Sequence, residues 1–156
     1  MQSTKHVIFQ LGNEKYGLDI MAVNSIEKYG DVMKVSDAPA NMNGIIHLRG
    51  EDIPVYSLRR KFALEEKEPD EETKLIIIQS NGIRMAYEVD KMQEITDTES
   101  DQINDTPSIV KNKDTAYIKS VANVNGHLII LLDQNGILSS DEQEQIKEVL
   151  EQQKES

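Results

Sequence analysis

The chain of 156 residues has no cysteine, no tryptophan, only two phenylalanines, and 17 basic side chains against 28 acidic ones. Without cysteine there is no disulfide staple, no thiolate nucleophile and no Cys-ligated zinc, and the composition fits a reducing compartment. A net charge of −11 repels phosphate backbones and anionic lipid, and an aromatic content of 4% leaves little to stack on bases, so no nucleic-acid partner is expected. No apolar run approaches the length of a bilayer span, and the opening MQSTKH lacks the apolar stretch of a signal peptide or anchor, so no membrane insertion is expected. His6, His47 and His127 are scattered without ligand spacing, and no glycine-rich phosphate loop occurs. Neither a metal, a cofactor nor catalysis is expected.

What the chain does have is strand-like spacing of apolar residues, interrupted by hairpin turn chemistry. Val7 to Leu11 leads through Gly12-Asn13 into Tyr16 to Ile20, Leu75 to Ile78 through Asn81-Gly82 into Ile83 to Tyr87, and Tyr117 to Val124 through Asn125-Gly126 into Leu128 to Leu132. Asn-Gly supplies the two positive φ angles of a type I′ turn, so the fold is expected to be mainly β. Residues 65–73, acidic and holding Pro69, read as a solvated linker loop. Ser139 with Glu142 forms a capping box ahead of Ile146, Val149 and Leu150, which predicts a C-terminal helix and tail over 139–156, docked by one stripe. A length of this order is that of a single domain.

The two halves echo one another. Tyr16-Gly17-Leu18-Asp19-Ile20, then Val23 and Ile26, is matched 69 residues later by Met85-Ala86-Tyr87-Glu88-Val89, then Met92 and Ile95. Likewise Ile53 to Ser57 is echoed by Ile129 to Asp133. Either this is a duplicated small β unit or the shared period of strands produces the agreement by chance.

Residues 44–62, GIIHLRGEDIPVYSLRRKF, gather Arg49, Arg59, Arg60 and Lys61 in an acidic chain. Alternation places Ile46 and Leu48 on a core face and Ile45, His47 and Arg49 on the other, while Pro54, which has no amide to donate, points to an edge strand or a bulge. Ser57 is suited to cap one helical turn that aligns Leu58 with Phe62. Arg59, Arg60 and Lys61 then read as a solvated helix face. Arg49, between glycines at a strand end, has a planar fork free to engage a carboxylate.

Gly44, Leu48-Arg49-Gly50, Pro54-Val55, Leu58-Arg59 and Phe62 together resemble the signature of the CheW-type chemotaxis coupling proteins. The likeness extends to Phe9, Leu11, Tyr16-Gly17 and Asp19-Ile20, to Val89-Asp90, and to Ser139-Ser140-Asp141-Glu142, nearly the whole chain. It implies two packed, intertwined five-stranded barrels of the Src-homology-3 type, approximately 7–64 and 74–138 with exchange of strands left open, a short helical turn after the first barrel's last strand, and no cofactor. It also implies an adaptor, a monomer when free, that is cytoplasmic and recruited to membrane-associated receptor arrays. There it would hold the regulatory domain of a chemotaxis histidine kinase against the cytoplasmic tip of a chemoreceptor. Carried onto matching positions, receptor binding falls on Val23, Ile26, Gly44, Arg49 and Ile95, in an interbarrel groove suited to a helical partner, and kinase binding on Lys74 and Leu75. A small-ligand sensor or a scaffold in another two-component pathway is the alternative.

The chain departs from the signature at His47 for asparagine and Ser57 for aspartate. Ser25 replaces the glutamate expected to pair with Arg49, a role open to Glu27 or Glu94. Glu88 occupies a usually apolar place and reads as a solvent-facing strand position.

Overall fold

The computed structural model describes residues 3–105 and 116–155. Its strands are β1 (Ser3–Leu11), β2 (Glu14–Asp19), β3 (Val23–Lys28), β4 (Met42–Leu48), β5 (Glu51–Ser57), β6 (Lys74–Ser80), β7 (Ile83–Val89), β8 (Lys91–Glu99), β9 (Ile103–Asp105), β10 (Ile118–Val124) and β11 (His127–Leu132), and its helices are α1 (Leu58–Lys61) and α2 (Ser140–Glu155). They build a six-stranded sheet in the order β8-β1-β2-β11-β10-β9 and a five-stranded sheet in the order β3-β6-β7-β5-β4. The short β9 is the strand beyond the five expected.

All three hairpins form: β1 with β2, β6 with β7, and β10 with β11. Asn81 and Asn125 both have φ of 54°, followed by Gly82 at 81° and Gly126 at 83°, the pair of left-handed residues that a type I′ turn requires.

Sheet membership cuts across the spans 7–64 and 74–138, of which 106–115 lie outside the described residues. The β1–β2 hairpin lies between β8 and β11 of the second half, and the β6–β7 hairpin lies between β3 and β5 of the first. The halves have exchanged their leading hairpins. The registers preserve the echo: Val55 faces Ala86 in the parallel pair β5/β7, and Leu131 faces Gly17 in the parallel pair β11/β2. Even the β-bulges correspond, one between Met42 and Gly44 in β4 and one between Ile118 and Ser120 in β10.

The largest apolar cluster draws on both sheets, with Phe9, Leu11, Tyr16 and Leu18 from one and Tyr56, Ile76, Ile78 and Tyr87 from the other. Smaller clusters fill each barrel: Ile8, Ala122, Ile129 and Leu131 in the six-stranded one, and Ile46, Ile53, Val55, Leu75, Ile77 and Ala86 in the five-stranded one. Alternate residues of β6 therefore serve different cores, Leu75 and Ile77 the barrel, Ile76 and Ile78 the shared interior. The same holds on β4, where Ile46 packs inside the barrel and Ile45 in the shared cluster. A core on the Leu48 side alone was too little; a sheet enclosed by its own barrel and by its neighbour is apolar on both faces. Phe9, Tyr16, Phe62 and Tyr117 stack in a row with centroid separations of 5.7, 5.3 and 4.3 Å.

Pro54 is not on an edge. β5 runs between β7 and β4, and registered pairing with β7 starts only at Val55, one residue beyond the proline. At the other end of the chain the capping box forms reciprocally: Ser139 Oγ accepts from the Glu142 amide at 3.1 Å, and Glu142 Oε1 accepts from the Ser139 amide at 3.0 Å. Ile146 and Val149 then bury against the shared core, each contributing roughly 1.5–3 kcal/mol.

Candidate partner-binding site

Each sheet leaves an outer edge on the strand that follows a crossover, β3 in the five-stranded sheet and β8 in the six-stranded one. The chain passes from β2 to β3 through a 3₁₀ turn at Ile20–Ala22, begun by Asp19, whose Oδ1 accepts from the Met21 amide at 2.9 Å. The first apolar residue of each edge strand is drawn inward: Val23 and Met92 pack against the shared core. The second is left out, Ile26 with 40% of its surface exposed and Ile95 with 58%. Ile26 lies opposite Ile76, and Ile95 opposite Val7. The interbarrel seam expected as an open groove is thus filled in its depth by native side chains, and its apolar rim is what faces outward.

Arg49 occupies the turn between β4 and β5 with φ of 49°, followed by Gly50 at 80°, the same backbone as the two Asn-Gly turns. The left-handed region is unfavourable for a residue with a long side chain, by about 1 kcal/mol. The side chain is 71% exposed and its guanidinium reaches Glu27, with Nη2 3.5 Å from Oε2. The partner that Ser25 does not provide is therefore Glu27, while Glu94 belongs to β8 in the other sheet. Glu27, Ile46, His47, Leu48 and Leu75 surround a depression of about 770 Å³ at the mouth of the five-stranded barrel, with Ile26 on its border. His47 pairs across the hairpin with Asp52, Nδ1 to Oδ1 at 3.0 Å.

Gly44 is not at this mouth. Its φ is 155°, and a Cβ there would lie 2.3 Å from the Met33 carbonyl oxygen. Backbone bonds of 2.8 Å in each direction join Met33 to Ile45. The glycine lets the β3–β4 connection lie flat on β4, so it acts by placing that segment. Lys74 and Leu75 open β6, in the same barrel as Val23, Ile26, Gly44 and Arg49. Leu75 is only 1% exposed and packs the barrel interior, whereas the Lys74 ammonium faces outward and donates to the Glu71 carbonyl at 3.2 Å. Of the residues singled out, Ile26, Arg49 and Leu75 are brought to one mouth, and Ile95 stands on the other barrel.

The basic run after β5 is held by the fold and is not a solvated face. Ser57 Oγ accepts from the Arg60 amide at 3.2 Å, so serine caps the turn as expected. Arg59 donates to both Asp90 oxygens, Nε to Oδ1 at 2.7 Å and Nη2 to Oδ2 at 2.6 Å, with only 15% of its side chain exposed. The Gly12 amide donates to the same carboxylate at 2.8 Å. Burial pushes the Asp90 carboxyl up, but these donors outweigh it and leave its pKa below the ordinary value. Lys61 donates to Glu142 Oε1 at 2.6 Å, and the Tyr56 hydroxyl donates to Glu142 Oε2. Against the opposing effect of burial, Lys61, Tyr56 and the Ser139 amide hold the Glu142 pKa below the usual value. Glu88 is half-buried, accepts from Asn43 Nδ2 at 3.1 Å, and has its pKa raised by burial, so it does not face open solvent. Sequence reasoning missed Asp90 and Glu142 as partners because nothing local marks carboxylates 31 and 81 residues away.

Among the described residues no helix is long and apolar enough to cross a membrane, and no three His, Asp or Glu side chains are grouped to hold a metal ion.

Two small barrels sharing a core, with apolar edges and a strained arginine turn facing outward, define a protein whose surface is built for contact. The CheW-like domain family matches residues 5–142. The chemotaxis protein CheW of Klebsiella aerogenes is 32% identical over 136 residues, covering 87% of this chain and 82% of that one. The CheW protein of Bacillus subtilis is 27% identical over 137 residues, covering 88% of each. The crystal structure of the scaffolding protein TtCheW from Thermoanaerobacter tengcongensis superposes with a TM-score of 0.82 at 28% identity, over 90% of this chain and 96% of that chain. The chain belongs to the CheW-like family: it is a CheW-type chemotaxis coupling protein, a non-catalytic scaffold of two Src-homology-3-like barrels and a C-terminal helix.

Proposed function

We propose that this protein joins the cytoplasmic tip of a chemoreceptor to the regulatory domain of a chemotaxis histidine kinase, acting in the cytoplasm and concentrated at receptor arrays. The observation that carries the reading is the Arg49 turn. An arginine kept in a conformation that asparagine adopts more readily, exposed, and tethered only loosely to Glu27, supports a role for this side chain outside the fold. Ile26 and Ile95 supply apolar contact for a helical receptor tip, Val23 seats the strand of Ile26 on the shared core, Arg49 orients the tip, and Gly44 sets the connection beside it. Lys74 marks the kinase-facing end of the five-stranded barrel, with Leu75 supporting that surface from inside.

The test is calorimetry with a purified receptor tip and the kinase regulatory domain, comparing the natural protein with Arg49→Ala and Ile26→Asp. The expected result is at least about tenfold weaker binding of the receptor tip for both variants. Unchanged affinities for both partners would reject the assignment.

A further inference from the structure

We propose that a polar cleft over the carboxyl ends of β5 and β7 binds a small zwitterion, the size of a free amino acid or a dipeptide. The cleft measures about 460 Å³, within the range of roughly 300–1,000 Å³ common to small-molecule sites. Asn43, Ser57 and Glu88 line it where the parallel pair ends with Ser57 opposite Glu88. Tyr29 from the β3–β4 connection, Arg60 from α1 and Glu68 from the acidic linker line it as well. The site does not depend on the adaptor reading.

Its polar groups are incompletely used. Arg60 Nε is buried without a hydrogen-bond partner, one of two such side-chain atoms among the described residues, the other being Arg84 Nε. A donor left so costs about 1–3 kcal/mol unless something accepts from it. Nη2 of the same guanidinium donates to Asn43 Oδ1, and Asn43 Nδ2 donates to Glu88 Oε1. Asn43 therefore sets a cation and an anion side by side, with Arg60 Nε enclosed and unpaired and Glu88 Oε2 not used by Asn43. Burial raises the Glu88 pKa, as befits a carboxyl that water does not fully solvate.

The charge lining the cleft selects the ligand. Arg59 is committed to Asp90 and Lys67 to Asp70, and Arg60 Nη1 reaches Glu66 Oε1 at 3.4 Å, which leaves Arg60 and Lys34 against Glu66, Glu68 and Glu88, mixed charge with one carboxylate in excess. A polyanion such as a nucleotide meets three carboxylates, and a simple cation meets the guanidinium. A molecule carrying both charges satisfies both: its carboxylate meets the Arg60 guanidinium, whose side chain turns to bring the enclosed Nε to it, and its ammonium donates to Glu88 Oε2. Because the lining comes from separate segments, occupancy would also draw the linker and the β3–β4 connection onto the barrel.

The experiment titrates the proteinogenic L-amino acids and glycylglycine, at millimolar concentration, into the full chain, read by saturation-transfer NMR and calorimetry. At least one is expected to bind with one-to-one stoichiometry, and Glu88→Gln and Arg60→Gln are each expected to weaken it by about tenfold or more. Glu88→Gln keeps shape and removes only the charge, and its fold is checked by circular dichroism. Arg49→Ala, on the barrel mouth, is expected to leave this binding unchanged. Three results would overturn the proposal: no binding by any of these probes, binding that survives Glu88→Gln, or Arg60-dependent binding of ATP or inorganic phosphate in place of the zwitterions.

Discussion

The turn between β4 and β5 and the turn between β10 and β11 hold equivalent places in a duplicated fold, yet one is Arg49-Gly50 and the other Asn125-Gly126. Their backbones are alike, with φ of 49° and 80° against 54° and 83°. Asparagine enters that conformation easily, because its short polar side chain tolerates it, and arginine does not. A second contrast runs the same way. The segment after β5 reaches the β1–β2 turn through Arg59 and Asp90, whose carboxylate holds the Gly12 amide. The segment after β11 reaches the β6–β7 turn with an uncharged residue: Asn135 Oδ1 accepts from the Asn81 amide at 3.0 Å, and its carbonyl from Asn81 Nδ2 at 2.9 Å. The two copies solve the same structural problems, and the five-stranded barrel does so with charge. Where a cation is enclosed, as at Arg59, it staples; where it stands in solvent, as at Arg49 with Glu27, its ion pair adds little to the fold.

The sharpest way to test this contrast is to remove both staples in turn. Arg59→Ala strands the Asp90 carboxylate and is expected to lower unfolding free energy by about 3 kcal/mol, while Asn135→Ala is expected to lose about 1 kcal/mol. Urea midpoints would show both, and equal losses would erase the distinction. Next comes the bulge. Gly44→Ala forces a methyl against the Met33 carbonyl and is expected to cost about 2 kcal/mol, with faster hydrogen exchange at the Met33 and Ile45 amides. The corresponding Ser120, already carrying a side chain, should accept alanine with little change.

A smaller effect is expected at the clasp on α2. The Glu142 pKa is depressed in the folded protein relative to the ordinary 4.5. Its contribution is therefore complete above that value and is lost as pH falls through the folded pKa. Glu142→Gln should lower stability by about 1–2 kcal/mol at neutral pH and by much less at the acid end, a convergence that thermal melts across pH would reveal. The smallest change is the swap of turns. Arg49→Asn is expected to raise stability by about 0.5 kcal/mol and Asn125→Arg to lower it by a similar amount, the former while weakening receptor-tip binding. A destabilised Arg49→Asn would mean that the arginine serves the fold after all.

Much of this was legible in sequence because it is local. Asn81-Gly82 and Asn125-Gly126 announce their turns, Ser57 and Ser139 their caps, and Ile146 with Val149 the buried stripe of α2. The residues of the rim, Ile26 and Ile95, were visible as members of an internal echo. The pairing of strands was not, since alternation tells which residues share a face and leaves the neighbouring strand unspecified. Nor was the fate of Arg59 and Lys61, because charge on a short helical turn looks the same whether a distant carboxylate meets it or water does. Glu88 misled for a related reason: a carboxylate in a strand suggests solvent, and here Asn43 and burial hold it in the lining of a cleft.

The exchange of leading hairpins has a consequence for how the chain can be divided. Severed within residues 65–73, neither fragment owns a complete barrel, since each would lack two strands supplied by the other. The pieces should remain unstructured apart and reconstitute only on mixing, so that one barrel cannot be inherited, truncated or loosened without its companion.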